Sequence, residues 1–100
     1  MTVYLVAMVT ITDKERYDAY QARLPEVFEG CGGRILASDE MPLRLEGATS
    51  PDKIVLIQFD NAEQISTFLL SDAYQEISRD REAGSITIAH AVHGLADPML

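Results

Sequence analysis

Residues 53–59 read Lys-Ile-Val-Leu-Ile-Gln-Phe, seven positions without a glycine or proline. So high a density of β-branched and aliphatic side chains predicts a strand. Successive side chains of a strand point to opposite faces. Val55, Ile57 and Phe59 therefore share one side, and Ile54, Leu56 and Gln58 the other. Both sides are largely apolar. The same sorting of residues 3–12 sets Val3, Leu5, Ala7 and Val9 against Tyr4, Val6 and Met8. In residues 85–93 it sets Ile86, Ile88 and Val92 against Ala89 and Ala91. A sheet made of these strands needs a cover on each face.

Helical signals lie between the strands. Thr12 is placed to cap a first helix, with Glu15 completing a capping box. Tyr17, Tyr20, Leu24, Val27, Phe28 and Cys31 recur at helical spacing along one apolar face. Pro25 predicts a kink near Leu24, and Gly30, Gly32 and Gly33 end the helix. A second strand is expected over 34–37 and 43–46, at a sheet edge and bulged around Pro42. Residues 47–52 form a turn. Asp60 with Glu63 opens a second helix that turns Ile65, Phe68 and Leu69 inward. Ser71 and Asp72 re-cap it before Tyr74 and Ile77, and Gly84 ends it. Glu76, Arg79, Asp80 and Arg81 read as a solvated helix face.

The order β-α-β-β-α-β, joined by right-handed crossovers, gives a ferredoxin-like α+β fold. Its four-stranded antiparallel sheet carries both helices on one face. One domain is expected over 1–94, with a short tail over 95–100. A four-strand face spans roughly 19 by 17 Å, or about 320 Å². At about 25 cal/mol per Å², leaving it wet forfeits on the order of 8 kcal/mol, as much as a domain's whole stability. A second copy presenting the same face closes the two sheets into a barrel, so a homodimer through the open sheet face is expected. The alternative cover is the tail, whose six residues are too few.

The chain has 100 residues, 47% of them hydrophobic and 24% charged, as in an ordinary globular protein. A net charge of −8 without a basic cluster argues against nucleic acid and against a membrane surface as partners. Cys31 is the lone cysteine, so an internal disulfide is excluded and a reducing compartment fits. No targeting signal is visible, and the cytoplasm is the expected location.

Several residues in order resemble a known family. They are Tyr4, Asp13 with Tyr17 and Tyr20, the run Gly32, Gly33 and Arg34, Glu46 with Gly47, Pro51, Phe59, Ser71 with Tyr74, Arg81 and Gly94. From about Tyr4 to Gly94 the chain resembles the domain-of-unknown-function family numbered thirteen-thirty, within the dimeric α+β barrel superfamily. The sequence departs from that pattern at Ala37, Ser38 and Asp39 and at Gln58. The resemblance implies the ferredoxin-like fold and the dimer. By superfamily analogy it implies cofactor-free oxygenase or isomerase chemistry.

Candidate site residues are few. His90 and His93 sit three apart on a strand, hence on opposite faces with α-carbons roughly 10 Å apart, so no shared metal site is expected. His90 is the candidate general base, since an imidazole in an apolar barrel titrates near neutral pH. The alternative is a structural imidazole. Tyr4, Arg34 and Gln58 are the candidate ligand-binding residues around it. The glycines at 30–33 follow a helix rather than precede one, which makes them a cap and not a phosphate loop. Cys31 lies on the apolar stripe and is expected buried and inert. Tyr17, Tyr20 and Tyr74 are expected to pack in the core with hydroxyls at the rim. No nicotinamide fingerprint, haem-attachment sequence or nucleophile motif is present, so no cofactor is expected.

Two functions follow. The first is a small dimeric protein that binds or transforms a small organic molecule in a pocket of each subunit. The second is a non-catalytic dimeric binding or stress-associated accessory module. An open cavity with His90 pointing into it favours the first, and a filled interior or a solvent-directed His90 favours the second.

Overall fold

Pairing of the 53–59 stretch with strands on both sides builds the sheet. The computed structural model describes residues 1–95. The elements run β1 (Val3–Ile11), α1 (Lys14–Phe28), β2 (Arg34–Asp39), β3 (Lys53–Phe59), α2 (Ala62–Leu70), α3 (Asp72–Gly84) and β4 (Ser85–His93). The strand order is β2-β3-β1-β4, every pair antiparallel. This is the expected ferredoxin-like α+β fold. Most of the expected tail, from residue 96 onward, lies outside the described residues.

The faces sort as the alternation requires. Val3, Leu5 and Val9 of β1 and Ile57 and Phe59 of β3 are buried beneath the helices. Tyr17 and Tyr20 of α1, Ile65 and Phe68 of α2, and Tyr74 and Ile77 of α3 complete that core. Phe68 is the hub of its aromatic cluster, with ring centroids 5.5 Å from Phe28, 6.2 Å from Phe59 and 4.7 Å from Tyr74. Such edge and tilted contacts add about 0.5–1.5 kcal/mol per pair beyond area burial.

Both helix starts differ by one residue from the expectation. Asp13, not Thr12, caps α1 and accepts from Arg16 N at 3.3 Å. Thr12 N and Asp13 N instead donate to the Gly84 carbonyl at the end of α3, which pins Thr12 outside the helix. Asn61, not Asp60, caps α2 and accepts from Gln64 N at 2.9 Å, while Gln64 Oε1 accepts from Asp60 N. Ser71 does re-cap the chain, its Oγ accepting from Tyr74 N, so α2 and α3 are separate helices. Pro25 lies inside α1, which continues through it to Phe28. Gly30 follows at φ 78°, a left-handed turn that only glycine takes without strain.

The second strand is an edge strand as expected, but its irregularity falls between Ile35 and Ala37 rather than at Pro42. Residues 43–46 form no strand. The ladder with β3 ends at Asp39, so Met41, Leu43 and Leu45 stand 87%, 84% and 89% exposed. On the sheet face away from the helices, Ile86, Ile88 and Val92 are exposed as well. None of the described residues covers that face.

Candidate functional site

Small side chains at the sheet centre leave room beneath the helices. On β1 Ala7 stands opposite Val55 of β3 on one side and Ala89 of β4 on the other, all directed to the helix side. The helices turn four rings and the side chains of Leu24 and Leu69 toward this space. A cavity of about 310 Å³ remains, floored by Leu5, Ala7, Val55 and Ile57 and walled by Tyr17, Tyr20, Phe68 and Tyr74. Exposed Ser38 of β2 and Ala89 of β4 stand at its edges. It lies at the lower end of the size range of small-molecule pockets, and it is mostly apolar as such pockets are.

Its polar groups are specific. Lys53, the first residue of β3, pairs with Val9 in the ladder, which turns its side chain to the helix side. It is only 7% exposed. Its Nζ donates to Gln21 Oε1 at 2.5 Å and lies 5.3 Å from the centre of the Tyr17 ring. A buried ammonium without a carboxylate bonded to it is disfavoured, and burial holds Lys53 below the ordinary lysine range. The Tyr17 ring face offsets part of that cost.

Arg81 enters from α3. It follows Ile77 by four residues and Tyr74 by seven, so it shares their inward face. Its side chain is 23% exposed, and its nearest carboxylate oxygen is Glu82 Oε1 at 3.7 Å from Nη2. Its Nε is buried with no hydrogen-bond partner among the described residues. Tyr20 and Tyr74 close the wall with their phenol oxygens 3.1 Å apart. Burial pushes Tyr17 up to about 12, and it raises Tyr20 well above the usual tyrosine value. Near neutral pH both phenols are therefore protonated donors.

The four residues chosen from sequence do not line this cavity. Arg34 pairs with Gln58, and Gln58 pairs with Tyr4, so these three form one row across the opposite, open face. His90 pairs with Val6 one row further along the same face and is exposed there. The sequence reading thus brought together four residues that do share a surface, but on the other side of the sheet. His93 pairs with Val3 and so falls on the helix side, opposite to His90. Cys31 is half-buried rather than buried, its Sγ accepting from Gly33 N at 3.3 Å. The tyrosine hydroxyls of Tyr20 and Tyr74 bond to each other instead of reaching the rim.

Sequence reasoning passed over Lys53 and Arg81. The signal was present in both cases. Lys53 has the parity of Val55, Ile57 and Phe59, and Arg81 has the helical phase of Tyr74 and Ile77. Arg81 was grouped with its solvated neighbours because charge, not phase, was read there.

Comparison with solved structures places the architecture. The chain is similar to the RPA0582 protein of unknown function from Rhodopseudomonas palustris, with a TM-score of 0.81 at 18% identity, over 96% of this chain and 84% of that one. It is similar to SnoaB from Streptomyces nogalater, described as a cofactor-independent oxygenase, with a TM-score of 0.70 at 11% identity, over 96% and 95% of the two chains. A dimeric ferredoxin-like protein of unknown function from a Jannaschia species aligns with a TM-score of 0.68 at 10% identity, over 94% and 100%. At these identities the likeness is one of fold. No protein of curated function matches the chain significantly. The model of the domain of unknown function DUF1330 matches residues 2–95, nearly the whole length, and the chain belongs to that family.

Proposed function

We propose that this chain is one half of a homodimer joined through the open sheet face, and that each protomer binds a small organic molecule in the cavity between sheet and helices. The cavity carries this reading: an apolar chamber of about 310 Å³ with a few convergent polar groups is the usual form of a small-molecule site. The dimer is supported by the exposed Ile86, Ile88 and Val92 and by the dimeric relative of the same fold. In that dimer Tyr4, Arg34, Gln58 and His90 lie at the seam between the sheets.

The reaction class we attach to the cavity, by analogy with SnoaB, is cofactor-free oxygenation or isomerisation. His90 outside the cavity favours the second reading, a binding or accessory module without catalysis, over one with a histidine base.

A thermal-shift screen of small organic compounds tests the proposal, on the native chain and on Ala7→Leu, which fills the floor. A ligand at one hundred times its Kd stabilises the native state by about 2.7 kcal/mol. Compounds that stabilise the native chain and not Ala7→Leu support the cavity. A silent screen removes it. Oxygen uptake or isomer formation with the stabilising compounds then separates catalysis from binding alone.

A further inference from the structure

The charges around the cavity run against those of the chain. The whole molecule has sixteen acidic and eight basic residues. Two of the basic residues line the cavity, and among the described residues not one aspartate or glutamate does. Each of the two is incompletely paired. Lys53 Nζ has a neutral amide oxygen as its partner and an aromatic face below it. The carboxylate whose charge it feels is Glu40, which is exposed and stands outside the cavity lining. Arg81 has only Glu82 at 3.7 Å, exposed, and its buried Nε donates to nothing among the described residues.

Keeping a buried N–H of a cation unpaired costs about as much as a lost hydrogen bond or more. Such groups persist where something absent from the bare chain completes them. Water is one such partner, but an apolar chamber offers it few other contacts. A second, more open recess of about 340 Å³ shares Lys53, Leu24, Ile35 and Ser38 with the cavity, so Lys53 stands on the wall between the two. Arg81 lines only the inner one.

We propose that the cavity selects a small organic anion: a compact aromatic or unsaturated carboxylate, or the enolate of such a body, whose oxygens pair with Arg81 and Lys53 while its apolar frame lies over Ala7 against Tyr17 and Phe68. This rests on the cavity reading above and narrows it to one ligand class. The planar guanidinium suits two-oxygen anions through paired N–H donors, and the ammonium adds a point charge. The chain's net negative charge does not forbid this, since charges on the outer surface are screened within about 8 Å at physiological salt.

Three ligands of one frame separate the inference from its premise: naphthoate, its neutral isostere naphthamide, and the cation naphthylmethylammonium. Affinities are measured by calorimetry on the native chain, Arg81→Gln and Lys53→Met. The expected result is naphthoate bound about tenfold or more tightly than naphthamide, the range of a charge-assisted hydrogen bond. That preference is expected to vanish in Arg81→Gln and to shrink in Lys53→Met, with naphthamide binding unmoved. A merely structural role for either residue would shift both ligands together. Equal binding of naphthoate and naphthamide, or tighter binding of the cation, overturns the anion inference and leaves the cavity standing. Binding of none of the three overturns it too, and a silent compound screen beside that takes the cavity reading with it. Should Lys53→Met fail to fold, Arg81→Gln alone decides, because that side chain makes no hydrogen bond within the described residues for the fold to lose.

Discussion

The phenol oxygens of Tyr20 on α1 and Tyr74 on α3 lie 3.1 Å apart and buried, with the two rings nearly perpendicular at 84°. They join the helices at the cavity wall. Among the described residues each hydroxyl bonds to the other, so removing one strands its neighbour in an apolar setting. Tyr20→Phe and Tyr74→Phe are each expected to cost about 1–3 kcal/mol in urea unfolding. The double variant is expected to cost clearly less than the sum, since no orphan is left. Additive losses would mean that the two hydroxyls are not bonded to each other.

Gly84 closes α3 against the start of α1. A β-carbon there would stand 2.5 Å from Tyr17 N and 2.8 Å from Asp13 O, both backbone atoms with no freedom to withdraw. The Gly84 carbonyl also receives Thr12 N and Asp13 N, so displacing it disturbs the α1 entry. Gly84→Ala is expected to destabilise the chain by about 1–3 kcal/mol or more, although alanine is ordinarily the better helix former. An unchanged urea midpoint would show that the two helices have room to part.

Strand limits were legible where chemistry changes abruptly. Residues 53–59 and 85–93 are bounded by turn or glycine signals and appear at those limits in the structure. Helix caps were less so, because adjacent residues compete. Thr12 and Asp13 both cap well, as do Asp60 and Asn61, and the Gly84 carbonyl that settles the first case is remote in sequence. Leu43 and Leu45 alternate as a strand would, yet no neighbouring strand faces them among the described residues. The four candidate residues fall on the open face, away from the cavity, for a different reason. Histidine was weighted for its chemistry, while Lys53 and Arg81 carried the positional signal of the buried face, Lys53 entering only as the start of a strand and Arg81 as part of a solvated helix face.

Alkaline pH offers a direct test of the buried rim. Tyr17 is pushed from 10.0 up to about 12 by burial, so above pH 10 the folded chain keeps a proton that the unfolded chain loses. Stability falls as pH rises from 10 toward about 12, and Tyr20, raised in the same sense, adds to the fall. Lys53 acts the other way. Its folded value is lowered from 10.5, so the unfolded chain holds the extra proton and stability climbs as pH approaches 10.5. Denaturation measured across this range is expected to show the climb flattened in Lys53→Met and the fall softened in Tyr17→Phe. Identical profiles for all three chains would place these side chains in water.

The open face sets the last expectation. Ile88 lies on β4 beside Met8 of β1, which pairs with Ile54 of β3 and so continues an apolar row across the sheet. In the single chain Ile88 is 53% exposed, so a charge there costs the monomer little. Between two sheets the same charge is buried without a partner, at a cost of several kcal/mol. A flat face of roughly 320 Å² falls short of the about 800 Å² per partner that a standard interface buries. Met41, Leu43 and Leu45, each more than four-fifths exposed, are apolar side chains that can supply part of the difference. The native chain is therefore expected to sediment as a dimer and Ile88→Lys, at the same concentration, as a folded monomer, with Leu43→Asp and Leu45→Asp weakening the proposed dimer without lowering monomer stability. Sedimentation of Ile88→Lys as a native-like dimer would place the subunit contact elsewhere and leave this apolar face without a role.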